Sequence, residues 1–292
     1  MVGDIEVAVD AQAALGEGAI WHARRNVLYW VDIDAGEVHV YDPATGADRA
    51  IGVGQKVGTV VPRASGGVMV AVEEGFAHLD LDTGDLTLVC DPPEHNPALR
   101  FNDGKCDPAG RFWAGTITGR DNAGAAGLYC LFADRTTRRM LTGVTNSNGI
   151  CWSLDATTMY YIDTATAQVS AFDYDAATGE IGNRRTVITV PGSIGHPDGM
   201  TIDAQGMLWI AHWGGWSVNR WDPVSGQHLE SIPVPADHVS SCAFGGPELD
   251  TLYVTTARGG LGDEQLAEQP HAGGLFRVRM DVRGVPAFEF AG

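Results

Sequence analysis

Four oxygen-bearing side chains, Glu17, Asp103, Asn148 and Asp198, each stand directly before a glycine, ten to twelve residues ahead of an aromatic strand centre at Tyr29, Trp113, Tyr160 or Trp209. In a closed array of repeats, residues at one repeat position meet around the axis whatever their separation along the chain. Glu17, Asn148 and Asp198, at the start of the first strand of units one, four and five, then project toward the mouth of a central channel. Two carboxylates and an amide oxygen make a hard donor set that suits Ca²⁺, Mg²⁺ or Mn²⁺ and admits Zn²⁺ or Fe²⁺. Carboxylates crowded in a channel would otherwise repel one another and shift upward in pKa, a conflict that a cation removes. Each pair taken singly also reads as an ordinary Asx or Gly turn. The shared phase of four pairs, and a Glu where a turn asks for none, favour the cation.

The elements that would position these residues are legible as a repeat. Aligning Leu28-Tyr29, Val68-Met69, Phe112-Trp113, Met159-Tyr160, Leu208-Trp209 and Leu252-Tyr253 on their second residue gives spacings of 40, 44, 47, 49 and 44. Turns such as Asp107-Pro-Ala-Gly110 and Asp203-Ala-Gln-Gly206 precede the aligned strands, and turns such as Asp42-Pro-Ala-Thr-Gly46 and Asp222-Pro-Val-Ser-Gly226 follow them. In the first unit, strands are expected at Gly18–Trp21, Leu28–Asp32, Glu37–Tyr41 and about residues 49–53, runs rich in Val, Ile, Tyr and Trp. Four short antiparallel strands per unit of this length predict an all-β, six-bladed β-propeller, with residues 1–292 forming one domain because no blade buries its faces alone. The segment Ile5–Val9 has no place in the first blade and is expected to complete the last; Ala287–Ala291 competes for that place.

Nineteen Lys and Arg against 37 Asp and Glu leave a formal charge of −18, a field that repels polyanions and makes nucleic acid and anionic membrane surfaces poor partners. No apolar run approaches the roughly 20 residues needed to span a bilayer, and no basic stretch leads into an apolar amino-terminal segment, so a cytoplasmic protein is expected. A monomer or weak homo-oligomer is expected. Cys90, Cys106, Cys130, Cys151 and Cys242 are odd in number and lack C-x-x-C spacing, which reads as buried free thiols.

Leu15-Gly-Glu-Gly-Ala-Ile-Trp21, Arg100-Phe-Asn-Asp-Gly-Lys-Cys-Asp-Pro-Ala-Gly-Arg111, Ser147-Asn-Gly-Ile-Cys-Trp152 and Pro197-Asp-Gly-Met-Thr-Ile-Asp203 resemble, in the same order, the senescence-marker-protein-30, gluconolactonase and regucalcin family. The stretch from Leu252 to Gly260 and Ala272 to Phe276 is similar to bacterial sugar lactonases of xylonolactonase and arabinolactonase type. The resemblance implies a divalent metal held by Glu17, Asn148 and Asp198, with Asp198 also accepting and donating the catalytic proton, and Arg100 and Asn102 binding substrate hydroxyls. It assigns to Asn102 a role for which repeat phase alone indicates Asp103, leaving Asp103 behind the pocket wall. Animal members carry a Glu soon after the Gly-Thr pair matching Gly115-Thr116, where this chain reads Thr118-Gly-Arg-Asp-Asn122; the charge reversal at Arg120 prevents transfer of their sugar preference.

Other residues are weaker candidates. His196 could touch substrate or satisfy its own turn, and Trp213 and Trp216 could wall the pocket or pack between blades. No His-Glu-x-x-His, G-x-S-x-G or phosphate-loop pattern occurs. The reading expected is metal-dependent hydrolysis of a small-molecule sugar lactone, an aldonolactone, in sugar catabolism. Phosphotriester hydrolysis on the same metal and a noncatalytic calcium-binding role are the alternatives.

Overall fold

Short runs of β-branched and aromatic residues bounded by Asp and Gly leave the chain little choice but antiparallel meanders. The first unit of the computed structural model has strands at Gly16–His22, Val27–Asp32, Glu37–Asp42 and Ala47–Gly52, within two residues of the boundaries read from sequence. The structure describes residues 3–292; the side chain of Arg120, where the charge reversal was noted, lies outside the described residues.

The strands form four four-stranded sheets and one of eight. The eight-stranded sheet contains two antiparallel meanders, one running from His196 to Pro233 and the other made of His238–Gly245, Thr251–Ala257, Leu275–Arg279 and the amino-terminal Glu6–Val9. One residue pair joins the two halves, Trp213 with His238, whose rings stack with centroids 4.0 Å apart. Glu6–Val9 pairs antiparallel with Leu275–Arg279, so the amino terminus takes the outer place of the last meander. The competing carboxy-terminal segment instead makes an isolated bridge from Phe290 to Arg63.

The first strands of the meanders, Gly16–His22, Val57–Pro62, Phe101–Cys106, Ser147–Trp152, His196–Ile202 and His238–Gly245, each pack against the next, and the last packs back on the first. These inner strands therefore close a ring. Apolar clusters fill the spaces between adjacent sheets, with Trp30, Trp113 and Trp209 fully buried among them. All five cysteines are unpaired; four are buried, and Cys90 is partly exposed. No helix among the described residues is long and apolar enough to cross a membrane.

The turns identified in the sequence do more than reverse the chain. Asp203 Oδ1 accepts from the Gln205 and Met207 amides, and its Oδ2 accepts from the Trp209 indole and the Arg220 guanidinium. Asp107 repeats the device, accepting from the Ala109 and Arg111 amides, the Arg111 guanidinium, the Trp113 indole and the Tyr174 hydroxyl. Both carboxylates are completely buried, so each is tolerable only with every lone pair engaged. Asp203→Ala would strand the Arg220 charge and the Trp209 N–H, and is expected to cost about 3 to 5 kcal/mol in denaturant unfolding.

Candidate functional site

The oxygen-glycine pairs are not turns. Every inner strand breaks register near its start: between Glu17 and Ile20, Val57 and Thr59, Phe101 and Gly104, Ser147 and Ile150, Pro197 and Met200, and Val239 and Ser241. A bulge bends the strand and re-aims its side chains, which brings Glu17, Asn148 and Asp198 to the same end of the ring. The glycines follow from crowding there. A Cβ on Gly149 would lie 2.6 Å from Met200 Cβ and 2.7 Å from the Asp198 carbonyl oxygen of the next inner strand, and one on Gly199 would lie 2.6 Å from Ser241 Oγ.

These bulges open onto a pocket of about 940 Å³ whose wall includes Glu17, Arg100, Asn102, Asn148 and Asp198, together with His196 and Trp213. All five residues expected at the site are thus brought together. Asp103 and Trp216 are not in the wall; Trp216 lies in an exposed turn with φ +54°.

Neighbours fix the orientation of each donor. Thr164 Oγ1 gives its proton to the Pro197 carbonyl, so it can only accept from Asn148 Nδ2, at 2.8 Å. That leaves the Asn148 amide oxygen turned toward Asn102, whose Nδ2 donates to it at 3.2 Å and to the Ser147 carbonyl at 2.7 Å. Arg100 donates to Asn102 Oδ1 at 2.6 Å, and Glu17 accepts from the Gly18 amide at 2.9 Å. Two further carboxylates set the strands themselves. Asp32 accepts from the Ala14 and Leu15 amides, and Asp163 accepts from the Thr145 and Asn146 amides, each pinning the backbone two or three residues ahead of a site residue. Sequence reasoning missed Asp32, Asp163 and Thr164. The first two end matching strands in Tyr-Trp-Val-Asp32 and Tyr-Tyr-Ile-Asp163, a repeat signal that was available.

Charge is the dominant feature. Burial raises the Glu17 pKa well above the carboxylate range, the Asp198 and Asp103 charges raise it further, and the Gly18 amide and Arg100 oppose them. Burial likewise raises Asp198 strongly, with Asp103 adding to it; a hydrogen bond from Glu17, Arg100 and the Gly199 amide pull the other way. Asp103 is raised by burial, against the Lys105 charge and the Gly104 amide. Asp198 Oδ1 and Asp103 Oδ2 are buried with no hydrogen-bond partner. No group of three or more His, Cys, Asp or Glu side chains suited to a metal occurs among the described residues. The set here reaches three only through the Asn148 amide. Two buried carboxylates, one with an orphaned oxygen, beside an amide oxygen held by its neighbours fit a hard divalent cation.

A family model described as the SMP-30/gluconolactonase/LRE-like region matches residues 15–258. The chain is 39% identical over 289 residues to a Bacillus subtilis protein provisionally named a sugar lactone lactonase, YvrE, covering 99% of each. It is 40% identical over 291 residues to regucalcin of Danio rerio, covering 99% of this chain and 98% of that one. Among solved structures, a calcium-binding protein, regucalcin, of Agrobacterium tumefaciens matches with a TM-score of 0.94 at 28% identity over 99% of this chain and 98% of its own.

A carboxyl whose pKa is raised by folding holds its proton more tightly folded than unfolded, so ionising it as pH climbs past the ordinary carboxylate range removes stability. In chelator, Asp198→Asn deletes one such ionisation and is expected to melt above wild type at about pH 8, with the gap closing as pH falls toward about 4. Divalent cation at a concentration that fills the wild-type site should reverse the order by stabilising wild type more than the weaker-binding variant. Thermal melts across the pH series check both signs.

Proposed function

Because the chain belongs to the SMP-30/gluconolactonase/LRE-like family, we propose that it is a lactonase that opens an aldonolactone to the aldonic acid in sugar catabolism. The observation that carries this reading is the convergence of Glu17, Asn148 and Asp198 on one pocket that also holds Arg100 and Asn102. The sugar lactone lactonase name of the YvrE relative supports the lactonase reading, and the calcium-binding description of the Agrobacterium tumefaciens regucalcin supports the divalent cation. On this reading the meanders are six blades of a single propeller domain, and Glu17, Asn148 and Asp198 hold one divalent cation, Ca²⁺, Mg²⁺, Mn²⁺, Zn²⁺ or Fe²⁺. Bound there, the cation supplies Lewis acidity toward the ring carbonyl.

The chain's own residues do the rest. Arg100 presents a fork of donors, and Asn102 both donates and accepts, which matches the hydroxyls of a polyhydroxy ring. Asp198 takes a proton as water oxygen adds to the lactone carbonyl carbon, and returns it to the ring oxygen as the carbon–oxygen bond breaks. The product is the open hydroxy acid. Asn102 has a double position, because the amide that faces substrate also donates to Asn148. Arg100 likewise holds Asn102 Oδ1 and opposes the Glu17 and Asp198 charges, so recognition is read from the difference between a hydroxylated and a plain lactone rather than from the loss on either alone.

Turnover on a panel of pentono- and hexonolactones, with and without chelator, tests the reading; no turnover in the presence of any of the five cations would overturn it. Asp198→Asn at saturating cation is expected to lower kcat at least about a hundredfold, the usual weight of a positioned proton acceptor. Recovery to near wild-type kcat once cation is in excess would show Asp198 to be a ligand only. Arg100→Ala should reduce kcat/KM for a fully hydroxylated lactone by about 1 to 3 kcal/mol more than for a plain lactone lacking those hydroxyls.

A further inference from the structure

The pocket over the carboxylates is larger than a single sugar lactone needs. It measures about 940 Å³. A cavity of about 150 Å³ takes benzene, so a one-ring sugar lactone of about a dozen heavy atoms needs roughly 300 Å³, and one carrying a second sugar ring roughly 600 Å³. Arg100 and Asn102 belong to the third inner strand and the turn before it, and Asp198 to the fifth. A lactone ring spanning that interval leaves the wall beyond Asp198 uncovered.

That wall is built around Trp213. The indole ends the strand Leu208–Trp213 and lies opposite His196, two residues from Asp198 on the side nearer the mouth. Its backbone pairs with His196 on one side and His238 on the other, and its ring stacks on the His238 imidazole with centroids 4.0 Å apart and planes 13° apart. Gly195 permits the close approach, since its φ is +88° and a Cβ there would lie 2.6 Å from the Trp213 carbonyl oxygen. His238 is outside the pocket wall, so the indole surface that lines the pocket is not the one His238 covers. Trp213 thus both walls the pocket and packs between meanders. It is the one Trp, Tyr or Phe among the described wall residues, and Thr145, Asn146 and the exposed His196 share that wall.

We propose that the substrate of this site is a glycosylated aldonolactone, its lactone ring held by Arg100 and Asn102 and its second sugar ring lying on the Trp213 indole with His196 at the edge; the proposal rests on the lactonase reading. An indole fixed before binding offers flat apolar area with little rotamer freedom left to lose. The C–H face of a pyranose matches that area, and its hydroxyls meet an imidazole that can donate and accept. An alkyl or aryl substituent would cover the polar part of the wall without pairing it. An anionic one would meet the Glu17 and Asp198 side chains and a chain of net charge −18. The reaction is unchanged: water oxygen adds to the lactone carbonyl carbon, the ring carbon–oxygen bond breaks, and the glycosidic bond stays intact.

Glucono-1,5-lactone and cellobiono-1,5-lactone, alike except for the second ring, are the probes, assayed with spontaneous hydrolysis subtracted. Wild type is expected to favour the two-ring lactone about fivefold or more in kcat/KM, mainly through KM, as one aromatic contact would give. Trp213→Ala should bring that ratio close to one, and Trp213→Phe, which keeps a ring, should retain most of it. His196→Ala, at an exposed position, should lower the ratio by a smaller factor and reads the same subsite should Trp213→Ala fail to fold. Calorimetric titration with cellobionate and gluconate at saturating Ca²⁺ gives a measure independent of turnover, with cellobionate expected to bind about fivefold or more tightly. Turnover of glucono-1,5-lactone without a preference for the two-ring lactone would overturn the proposal and leave the lactonase reading standing, as would a preference unmoved in both Trp213→Ala and His196→Ala. No turnover of either lactone would sink the lactonase reading; equal binding of cellobionate and gluconate, or none, would then overturn the second-ring site as well.

Discussion

Glu17, Asp103 and Asp198 are carboxyl groups taken out of water and set within one another's fields, with Arg100 the guanidinium that opposes them at Glu17 and Asp198. Left to relax, such groups would move apart or take up protons. Much of the surrounding structure prevents the first. The bulges aim the side chains inward, Asp32 and Asp163 tie down the backbone ahead of Glu17 and Asn148, and the Asp107 and Asp203 networks lock the turns behind them. The neutrality of Asn148 belongs to the same logic. It contributes an oxygen without a further charge, and Thr164 and Asn102 supply the orientation that Coulomb attraction would supply for a carboxylate.

Strand positions and the gathering of the site residues were legible because a repeat with strong β patterning leaves few places for its first strands. The inner-strand bulges were not. An acid or amide followed by glycine has the same local sequence in a turn and in a bulged strand; the difference lies in the neighbouring strand, whose approach to Gly149 and Gly199 no local pattern encodes. The rivalry between Asn102 and Asp103 has the same origin. Regular alternation would send one to the channel and the other away. Both lie within the break in register between Phe101 and Gly104, and so Asn102 lines the pocket while Asp103 still acts electrostatically on Glu17 and Asp198. Phase and family resemblance pointed at different residues, and each residue has a distinct relation to the cluster.

The backbone repeats around the ring, but the chemistry does not. The second inner strand has Val57-Gly58 at the bulge and the sixth has Ser240-Ser241, neither with a carboxylate, although both break register as the others do. Gly58 is needed all the same, since a Cβ there would sit 2.5 Å from the Phe101 carbonyl oxygen. Close packing around the axis thus accounts for that glycine, while the charged and amide residues answer a separate demand on only some of the strands. Filling every bulge with an acid would add charges that burial makes ever harder to ionise; filling none would leave the proposed cation without donors. A partly decorated ring escapes both outcomes, and its two plain strands put no further carboxylate beside the three already crowded together.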